Sequence, residues 1–202
     1  VASRGLGDVY KRQIGSSPSG LASNVMAYLA KANVALSVTL TAVATMVAPF
    51  ITPLLMKYFA GAFVPIDFLA MMISIFKMVI LPVVLGLVFN HFFHGRAKWL
   101  NKAMPIVSMA AIALIIVIIT AAGRDSLLSI GILLVVAAII HNLLGYLFGY
   151  WGCRLLKMKE QDCRTIALEV GMQNGGLASG IALEMGKVST VGLAPAVFGP
   201  WM

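Results

Sequence analysis

An acidic residue and two carboxamides lie close together in an otherwise apolar stretch of the chain. Glu169, Gln173 and Asn174 are followed directly by Gly175 and Gly176. A charge at membrane depth costs about 2.5–3.5 kcal/mol on insertion scales, so Glu169 needs a compensating partner. The glycines allow the backbone to leave helical geometry, and an interrupted helix with converging oxygens is a common cation site in transporters. The alternative is a structural polar cluster. We favour the cation site, because intramembrane ionisable residues are functional by default.

A second set of oxygen-bearing side chains lies near the beginning of the chain. Ser23 and Asn24 are followed by Ser37 and Thr41, which are four residues apart and therefore share one helical face. Together with Glu169 they offer only oxygen ligands, which suit a hard cation such as sodium better than a metal that prefers thiolate or imidazole. For any single Ser or Thr, the alternative is a hydrogen bond within its own helix or to a neighbouring helix.

The composition is that of a membrane protein. The chain has 202 residues, of which 60% are hydrophobic and 11% are charged, against about 25% charged in soluble domains. The net charge of +8 comes from basic residues between apolar segments, so we interpret it as a topology and lipid-headgroup signal and not as nucleic-acid binding. Cys153 and Cys163 show neither a disulfide framework nor a metal-ligand pattern.

Apolar runs and breakers predict an all-α, polytopic protein. The predicted spans are residues 32–56, 68–90, 103–123 and 126–153, with Pro49 and Pro53 expected to kink the end of the first. Short helices are predicted at residues 21–30 and 176–185, and polar loops at 57–67, 91–102 and 154–164. The last apolar run, 188–202, is too short to span, and we expect the chain to be truncated there.

Two similar segments are predicted to have opposite orientations in the membrane. Gly20-Leu-Ala-Ser recurs as Gly176-Leu-Ala-Ser, and Lys31 and Lys187 follow the two copies at the same distance. The positive-inside rule puts the basic loops and the Lys31 turn in the cytoplasm, and the Lys187 turn outside. Paired interruptions in two halves of a chain point to the binding site of an inverted-repeat transporter. The alternative is two unrelated glycine-rich helix starts.

Three motifs resemble those of the bile acid:sodium symporter family. They are Gly20-Leu-Ala-Ser-Asn-Val-Met, Ala35-Leu-Ser-Val-Thr-Leu-Thr and Glu169-Val-Gly-Met-Gln-Asn. The resemblance implies a ten-helix fold of two inverted repeats, with the fourth and ninth helices broken and crossing. Residues 22–30 resemble the second half of helix 4, and 164–186 resemble helix 9. We therefore expect residues 14–202 to be a partial transporter domain that ends at the start of helix 10, and residues 1–13 to be a foreign leader.

The resemblance also implies functional residues. Its first sodium site corresponds to Ser23, Asn24, Ser37, Thr41 and Glu169. Its second corresponds to Glu169, Val170, Met172 and Gln173, with the Val and Met acting through backbone carbonyls. A further ligand of that second site comes from helix 3, which is expected to be absent. Asn174 corresponds to a residue that lines the substrate cavity. Leu21 replaces a Thr that can help to bind substrate in the family, which weakens the case for a bile acid.

These observations predict a sodium-coupled organic-anion symporter of the bacterial inner membrane. Its expected partners are sodium, the anion and membrane lipid, with no cofactor. A proton-coupled or uncoupled carrier of the same fold remains an alternative, with Glu169 exchanging protons. A lipid-modifying enzyme would need a nucleophile or metal cluster that the sequence does not show, and an anchoring subunit would have no use for the polar motifs. Lys77 could meet an anionic substrate or snorkel, and we interpret His141 as a satisfied buried histidine.

Overall fold

The protein is built from α-helices. A computed structural model describes residues 13–61, 66–93, 98–186 and 191–201, and within these ranges the only strand-like pairing is a single bridge between Ser19 and Gln173. The helices are α1 (Ala22–Leu29), α2 (Val34–Ala60), α3 (Phe68–Ile75), α4 (Leu81–Phe93), α5 (Lys98–Ala122), α6 (Arg124–Leu155), α7 (Glu160–Gly171), α8 (Gly175–Glu184) and α9 (Leu193–Trp201), with a π-helical turn at Phe76–Ile80. The all-α prediction is confirmed.

Three of the described helices are long and apolar enough to cross a membrane. They cover Val34–Ala60, Phe68–Phe92 and Gly131–Leu155. Large apolar side chains point outwards along them, and Ile132, for example, is 83% exposed. Such a surface is stable only in lipid or against further protein. The protein is therefore a multi-pass integral membrane protein. The remaining predicted span, 103–123, coincides with α5 up to Ala122, and the apolar stretch of that helix, Met109–Ala122, is shorter.

The connecting loops are shorter than the sequence predicted. Helix α2 continues to Ala60 and carries Pro49 and Pro53 inside it, so a kink at the prolines would lie within the helix and not at its end. The predicted loop 91–102 shrinks to the residues between Phe93 and Lys98, and the predicted loop 154–164 to those between Leu155 and Glu160. The prediction ended each span at the first charged residues. Lys, Arg and Glu are good helix formers, however, and they extend a helix beyond its apolar section.

Helices α6 and α7 pack with their backbones almost in contact. A Cβ atom added at Gly145 would lie 2.8 Å from Cα of Gly171, and one added at Gly149 would lie 2.8 Å from Cα of Ala167. Small residues four apart allow this close approach between membrane helices. The packing fixes the position of α7, which carries Glu169.

Two non-helical segments cross next to the end of α7. The backbone N–H of Gly20 donates to the carbonyl of Met172 (2.9 Å), and the N–H of Asn174 donates to the carbonyl of Pro18 (2.8 Å). A Cβ at Gly20 would lie 2.9 Å from the carbonyl oxygen of Gln173, so the crossing requires glycine at this position. The predicted pair of interrupted, crossing segments is confirmed.

The position of the second interruption differs from the prediction. The helix breaks at residues 172–174, and Gly175 and Gly176 are already helical in α8. The Asn174 side chain starts α8 by accepting a hydrogen bond from the N–H of Leu177 at 2.9 Å, which is a standard N-cap. Gly175 faces α9, where Cα of Gly199 would lie at an ordinary contact distance of 3.6 Å from an added Cβ.

The half-helices α1 and α8 run towards opposite ends of the molecule. Beyond α1, the side chain of Asn33 donates to Asp162 at 2.8 Å, so the Lys31 turn lies at the end where α7 begins. At the end of α8, Glu184 lines a pocket together with Asp67, which lies just before α3. These pairings agree with the predicted topology. Lys187 and residues 1–12 lie outside the described residues, whereas Gln13, the last residue of the predicted leader, is fully buried and donates to the carbonyl of Ala178 at 2.7 Å.

Candidate functional site

Glu169 lies in the last turn of α7, where three helices meet. Its side chain is buried, with a residue exposure of 7%. The hydroxyl oxygens of Ser23 on α1 and Ser37 on α2 each lie 2.6 Å from Oε1 of Glu169. Oγ1 of Thr41, one turn further along α2, lies 3.1 Å from Oε1 and 2.9 Å from Oε2. The spacing of Ser37 and Thr41 therefore places both hydroxyls on the carboxylate.

The fifth predicted residue, Asn24, completes the same cluster. Its Oδ1 lies 2.8 Å from the hydroxyl of Ser37 and 3.3 Å from that of Thr41. All five residues expected at the first sodium site are thus brought together, although they come from three helices and from both halves of the described chain. We refer to Ser23, Asn24, Ser37, Thr41 and Glu169 as the oxygen cluster.

The oxygen cluster contains more close oxygen pairs than it has protons to place between them. Each hydroxyl carries one proton, whereas an ionised carboxylate and an amide oxygen only accept. Ser37 has to choose between Glu169 and Asn24, and Ser23 has to choose between Glu169 and the carbonyl of Gly20, 2.7 Å away. Oxygen atoms this close with no proton between them repel one another. A bound cation would relieve that repulsion.

Glu169 also has no basic partner in the part of the chain that the structure describes. The ion pairs found there are Arg124 with Asp125, and Arg154 and Arg164 with Glu160. A buried charge without a counter-charge is unfavourable by several kcal/mol. The local chemistry therefore favours a cation that enters from outside the chain.

The residues expected at the second sodium site lie in the last turn of α7 and in the non-helical segment that follows it. The carbonyl of Val170 accepts a hydrogen bond from Nε2 of Gln173 at 3.2 Å, and the carbonyl of Met172 accepts one from the N–H of Gly20. A carbonyl oxygen has two lone pairs, so each can still coordinate an ion. The assignment of these residues to a second sodium site stays a prediction.

Asn174 and Leu21 lie on either side of a cavity at the crossing. The cavity has a volume of about 370 Å³, and its walls also include Ile115 of α5 and Pro195 of α9. Leu21 is largely exposed. It contributes an apolar side chain at the position where the family resemblance implies a Thr hydroxyl. The N-termini of α1 and α8 both border this space. Because helix N-termini attract negative charge, the cavity suits an anion with an apolar body.

The sequence assigns no role to Asn142 on α6, and it predicts that the neighbouring His141 is a satisfied buried histidine. Asn142 is buried and donates from Nδ2 to the carbonyl of Gly171 at 2.8 Å, which satisfies a backbone oxygen at the helix break. His141, next to it, is half-buried and lies 5.6 Å from the ring of Phe198 between centroids, and its Nε2 has no hydrogen-bond partner among the described residues, contrary to the prediction of a satisfied histidine. The sequence signal for both residues is their position as an adjacent polar pair inside a long apolar span. Polar residues at membrane depth face protein or a cavity.

Comparisons with known proteins point to one family. The sequence profile of the Sodium Bile acid symporter family matches residues 13–130. The chain is 40% identical over 189 residues to the "Uncharacterized sodium-dependent transporter YocS" of Bacillus subtilis, covering 93% of this chain and 58% of that protein. It is 34% identical over 171 residues to the "Probable sodium/metabolite cotransporter BASS1, chloroplastic" of Arabidopsis thaliana, covering 85% of this chain and 43% of that protein.

A mammalian relative extends the comparison. The chain is 32% identical over 180 residues to the "Ileal sodium/bile acid cotransporter" of Oryctolagus cuniculus, covering 83% of this chain and 49% of that protein. The chain thus spans about half the length of the curated relatives that it matches.

Proposed function

This chain belongs to the Sodium Bile acid symporter family, and on that premise we propose that the full-length protein couples sodium entry to the uptake of an organic anion. We place the activity in the bacterial inner membrane. The observation that carries the proposal is the oxygen cluster, where a buried carboxylate has hydroxyl neighbours but no basic partner among the described residues. The named relatives are transporters, and we propose that this protein likewise catalyses no covalent step.

The cluster suits sodium in its chemistry. One carboxylate and several neutral oxygens can replace the hydration shell of a hard monovalent cation without overcompensating its charge. The ion would neutralise Glu169 and accept lone pairs from Ser23, Ser37 and Thr41, which have too few protons to satisfy one another. Binding would also tie α1, α2 and α7 together, because each of them supplies ligands.

Coupling to the substrate follows from shared structural elements. Leu21 and Ala22 line the cavity and lead directly into Ser23 of the oxygen cluster. On the other side, Gln173 and Asn174 line the cavity a few residues after Glu169. Sodium that fixes α1 and the end of α7 would therefore fix both walls of the cavity. A ligand that orders part of another ligand's site raises that ligand's affinity, and the effect is reciprocal.

The second proposed ion site would strengthen this coupling. Glu169, Val170, Met172 and Gln173 extend from the oxygen cluster along the non-helical segment to the cavity. A sodium ion held by the two carbonyls and the Gln173 amide would order the segment that leads to Asn174. We propose two coupled sodium ions on this basis, with Glu169 shared between them.

The cavity supports an organic anion as the substrate class. The N-termini of α1 and α8 would attract the acidic group, and Asn174 would donate a hydrogen bond to it. The other walls are mostly apolar, and Leu21 removes one hydroxyl donor, so the body of the substrate would make apolar contacts. The relatives' names support the same class, since one is a bile acid cotransporter and another is a probable metabolite cotransporter.

Uptake by the purified full-length protein in proteoliposomes tests the proposal. We expect accumulation of at least one member of a panel of bile, keto and sulfonic acids when an inward sodium gradient is imposed. Replacing sodium by potassium should abolish it. Accumulation driven by a proton gradient in the absence of sodium would instead support the carrier that uses Glu169 as a proton-exchanging group.

A further inference from the structure

Helices α2 and α7 run in the same direction where they meet, and successive contacts mark their register. Asn33, at the start of α2, is hydrogen-bonded to Thr165 of α7. Ser37 and Glu169, each four residues further along its own helix, make the next contact, at 2.6 Å. Four residues correspond to about one helical turn and about 6 Å of rise. The contact between Asn33 and Thr165 therefore lies one turn before the oxygen cluster, on the same two helical faces.

The hydroxyl of Thr165 bonds to the backbone of Asn33. It accepts a hydrogen bond from the N–H of Asn33 at 2.9 Å, and it lies 3.1 Å from the carbonyl oxygen of Asn33, to which it can donate. Its other acceptor is the carbonyl of Gln161, on its own helix, at 3.0 Å. The N–H of Asn33 keeps its acceptor in either case, because a hydroxyl has two lone pairs beside its one proton. Thr165 is fully buried, so the contact is made inside the protein.

The side chain of Asn33 makes a second contact with α7. Its Oδ1 accepts a hydrogen bond from the N–H of Leu36 at 3.1 Å, which caps α2. Its Nδ2 donates to Oδ1 of Asp162 at 2.8 Å. The start of α2 is thus joined to α7 at two points, and none of the groups involved belongs to the oxygen cluster. We refer to the contacts of Asn33 with Thr165 and Asp162 as the α2–α7 link.

We propose that Asn33 and Thr165 are positioning residues for the first proposed sodium site. By fixing how α2 lies against α7, the α2–α7 link holds the hydroxyls of Ser37 and Thr41 at the carboxylate of Glu169. The proposal rests on the proposed function, because it concerns the affinity of the oxygen cluster for sodium.

The oxygen cluster needs such a link while no cation is bound. Its close oxygen atoms have too few protons between them and repel one another, and this repulsion favours separation of α2 from α7. The hydrogen bonds of the α2–α7 link are complete without a cation, so they oppose that separation. Ligands that are already in place lose less conformational freedom when the ion binds, and the affinity is higher for that reason.

The alternative is that Thr165 supports the fold and nothing else. Its loss would then lower the melting temperature by the same amount with and without sodium. Under the proposal, sodium would also raise the melting temperature of the variant less than that of the wild type. This follows because stabilisation by a ligand depends on its concentration relative to its Kd.

Three substitutions and one control separate the two roles. Thr165→Val keeps the shape of the side chain but removes the hydroxyl, whereas Thr165→Ser keeps the hydroxyl. Asn33→Ser keeps an oxygen that can cap α2 but removes the amide donor to Asp162. Thr52→Val is the matched control, because Thr52 is a buried threonine further along α2 and outside the oxygen cluster.

Sodium titrations of thermal stability and of uptake in the full-length protein measure the effect, with uptake recorded at a temperature at which every variant is folded. We expect Thr165→Val to lower the apparent sodium affinity by about tenfold, as is usual when a group that orients an ion ligand is removed. Thr165→Ser should stay within about threefold of the wild type. Asn33→Ser should lower the affinity by about threefold or more, and Thr52→Val should leave it unchanged.

Unchanged sodium affinity in Thr165→Val or in Asn33→Ser would overturn the proposal. An equal loss in Thr165→Ser would do so too, because the hydroxyl would then not be the requirement. An equal loss in Thr52→Val would point to general destabilisation of α2. Glu169→Gln, measured in parallel, distinguishes this failure from that of the proposed function. If Glu169→Gln loses the sodium response while Thr165→Val keeps it, only the positioning role is wrong, and if the wild type shows no sodium response, both fail.

Discussion

Helix α7 carries a carboxylate near each end, and their surroundings are opposite. At its first residue, Glu160 is partly exposed and accepts hydrogen bonds from the hydroxyl of Tyr150 (2.9 Å) and Nε of Arg164 (3.0 Å). Arg154 lies 3.8 Å away. In its last turn, Glu169 is buried among Ser and Thr hydroxyls, and the structure describes no basic side chain within ion-pair distance of it.

Under the proposed function, the difference separates a structural carboxylate from a functional one. Glu160 already has its counter-charges and is screened by solvent, so it contributes little to stability. Glu169 has given up its hydration, and its neighbours are polar but neutral. The fold therefore leaves a negative charge for something else to neutralise. A site that is complete only with an external cation can respond to that cation's concentration.

The largest expected effect comes from removing the charge of Glu169. Glu169→Gln keeps the shape of the side chain, and we expect it to lower sodium affinity in the full-length protein by at least about a hundredfold. Removing one partner of a buried charge pair costs about 3–5 kcal/mol, and about 1.4 kcal/mol corresponds to tenfold. Sodium titration of thermal stability, beside uptake at varied external sodium, measures the loss.

Glu160→Gln is the matched control on the same helix. It removes a carboxylate that already has basic partners, and we expect the sodium dependence of stability and uptake to be unchanged. If Glu160→Gln and Glu169→Gln shifted the sodium curves equally, the contrast between the two carboxylates would be wrong. If neither shifted them, the charge of Glu169 would be structural.

The next effect concerns the packing that holds α7 behind Glu169. Gly145→Ala places a methyl group where an added Cβ lies 2.8 Å from Cα of Gly171 and 3.0 Å from the carbonyl oxygen of Val170. Overpacking of this kind costs about 1–3 kcal/mol. We expect a lower melting temperature and weaker sodium binding, because the end of α7 must move.

Gly152→Ala on the same helix is the control for this substitution. A Cβ at Gly152 would meet nothing within 4 Å, and Ala is the better helix former. Thermal unfolding with and without sodium should therefore show no loss for this variant. Equal destabilisation by the two substitutions would mean that helix propensity and not the close contact decides the outcome.

A smaller effect is expected from single neutral ligands of the oxygen cluster. Thr41→Ala and Asn24→Ala each remove one oxygen among several. We expect sodium binding to become about two- to tenfold weaker, because a single hydrogen bond contributes about 0.5–1.5 kcal/mol and about 1.4 kcal/mol corresponds to tenfold. Thr39→Ala is the control on α2. Its hydroxyl is exposed and donates to the carbonyl of Ala35 at 2.8 Å, so sodium binding should not change.

The oxygen cluster could be predicted from the sequence because its members belong to short motifs with helical spacing. Ser37 and Thr41 share a face, and both reach Glu169 as that spacing implies. Thr39 lies between them on another face and shows the alternative, a hydrogen bond within its own helix. Helical spacing thus decides which hydroxyls of α2 reach the carboxylate. That α2 lies next to α7, which is far along the chain, could only be inferred from the family motifs.

Other features depend on contacts between segments that are distant in sequence, and no local sequence pattern predicts such contacts. The role of Asn142 depends on a carbonyl of α7 that only becomes free at the break. The break itself lies before Gly175, because the cap by Asn174 and the pairing of Met172 with Gly20 decide the geometry. The predicted helix ends are wrong for a simpler reason, because the charged residues that bound the apolar runs are good helix formers and continue the helices.

The smallest expected effect is the pH dependence supplied by Glu160. The hydroxyl of Tyr150 and the guanidinium of Arg164 hold the pKa of Glu160 below its ordinary value of 4.5. A carboxylate with a lowered pKa in the folded state stabilises the protein fully above the unfolded pKa, and the contribution is lost as the pH falls through the folded pKa. Glu160→Gln should therefore lower the melting temperature slightly at pH 7, and the difference from the wild type should vanish well below pH 4. High salt should reduce the difference at pH 7, because the carboxylate is exposed and screened. A difference that persists at low pH would mean that Glu160 acts through its shape and not its charge. The comparison with Glu169 would then no longer be one between a carboxylate with basic partners and a carboxylate without them.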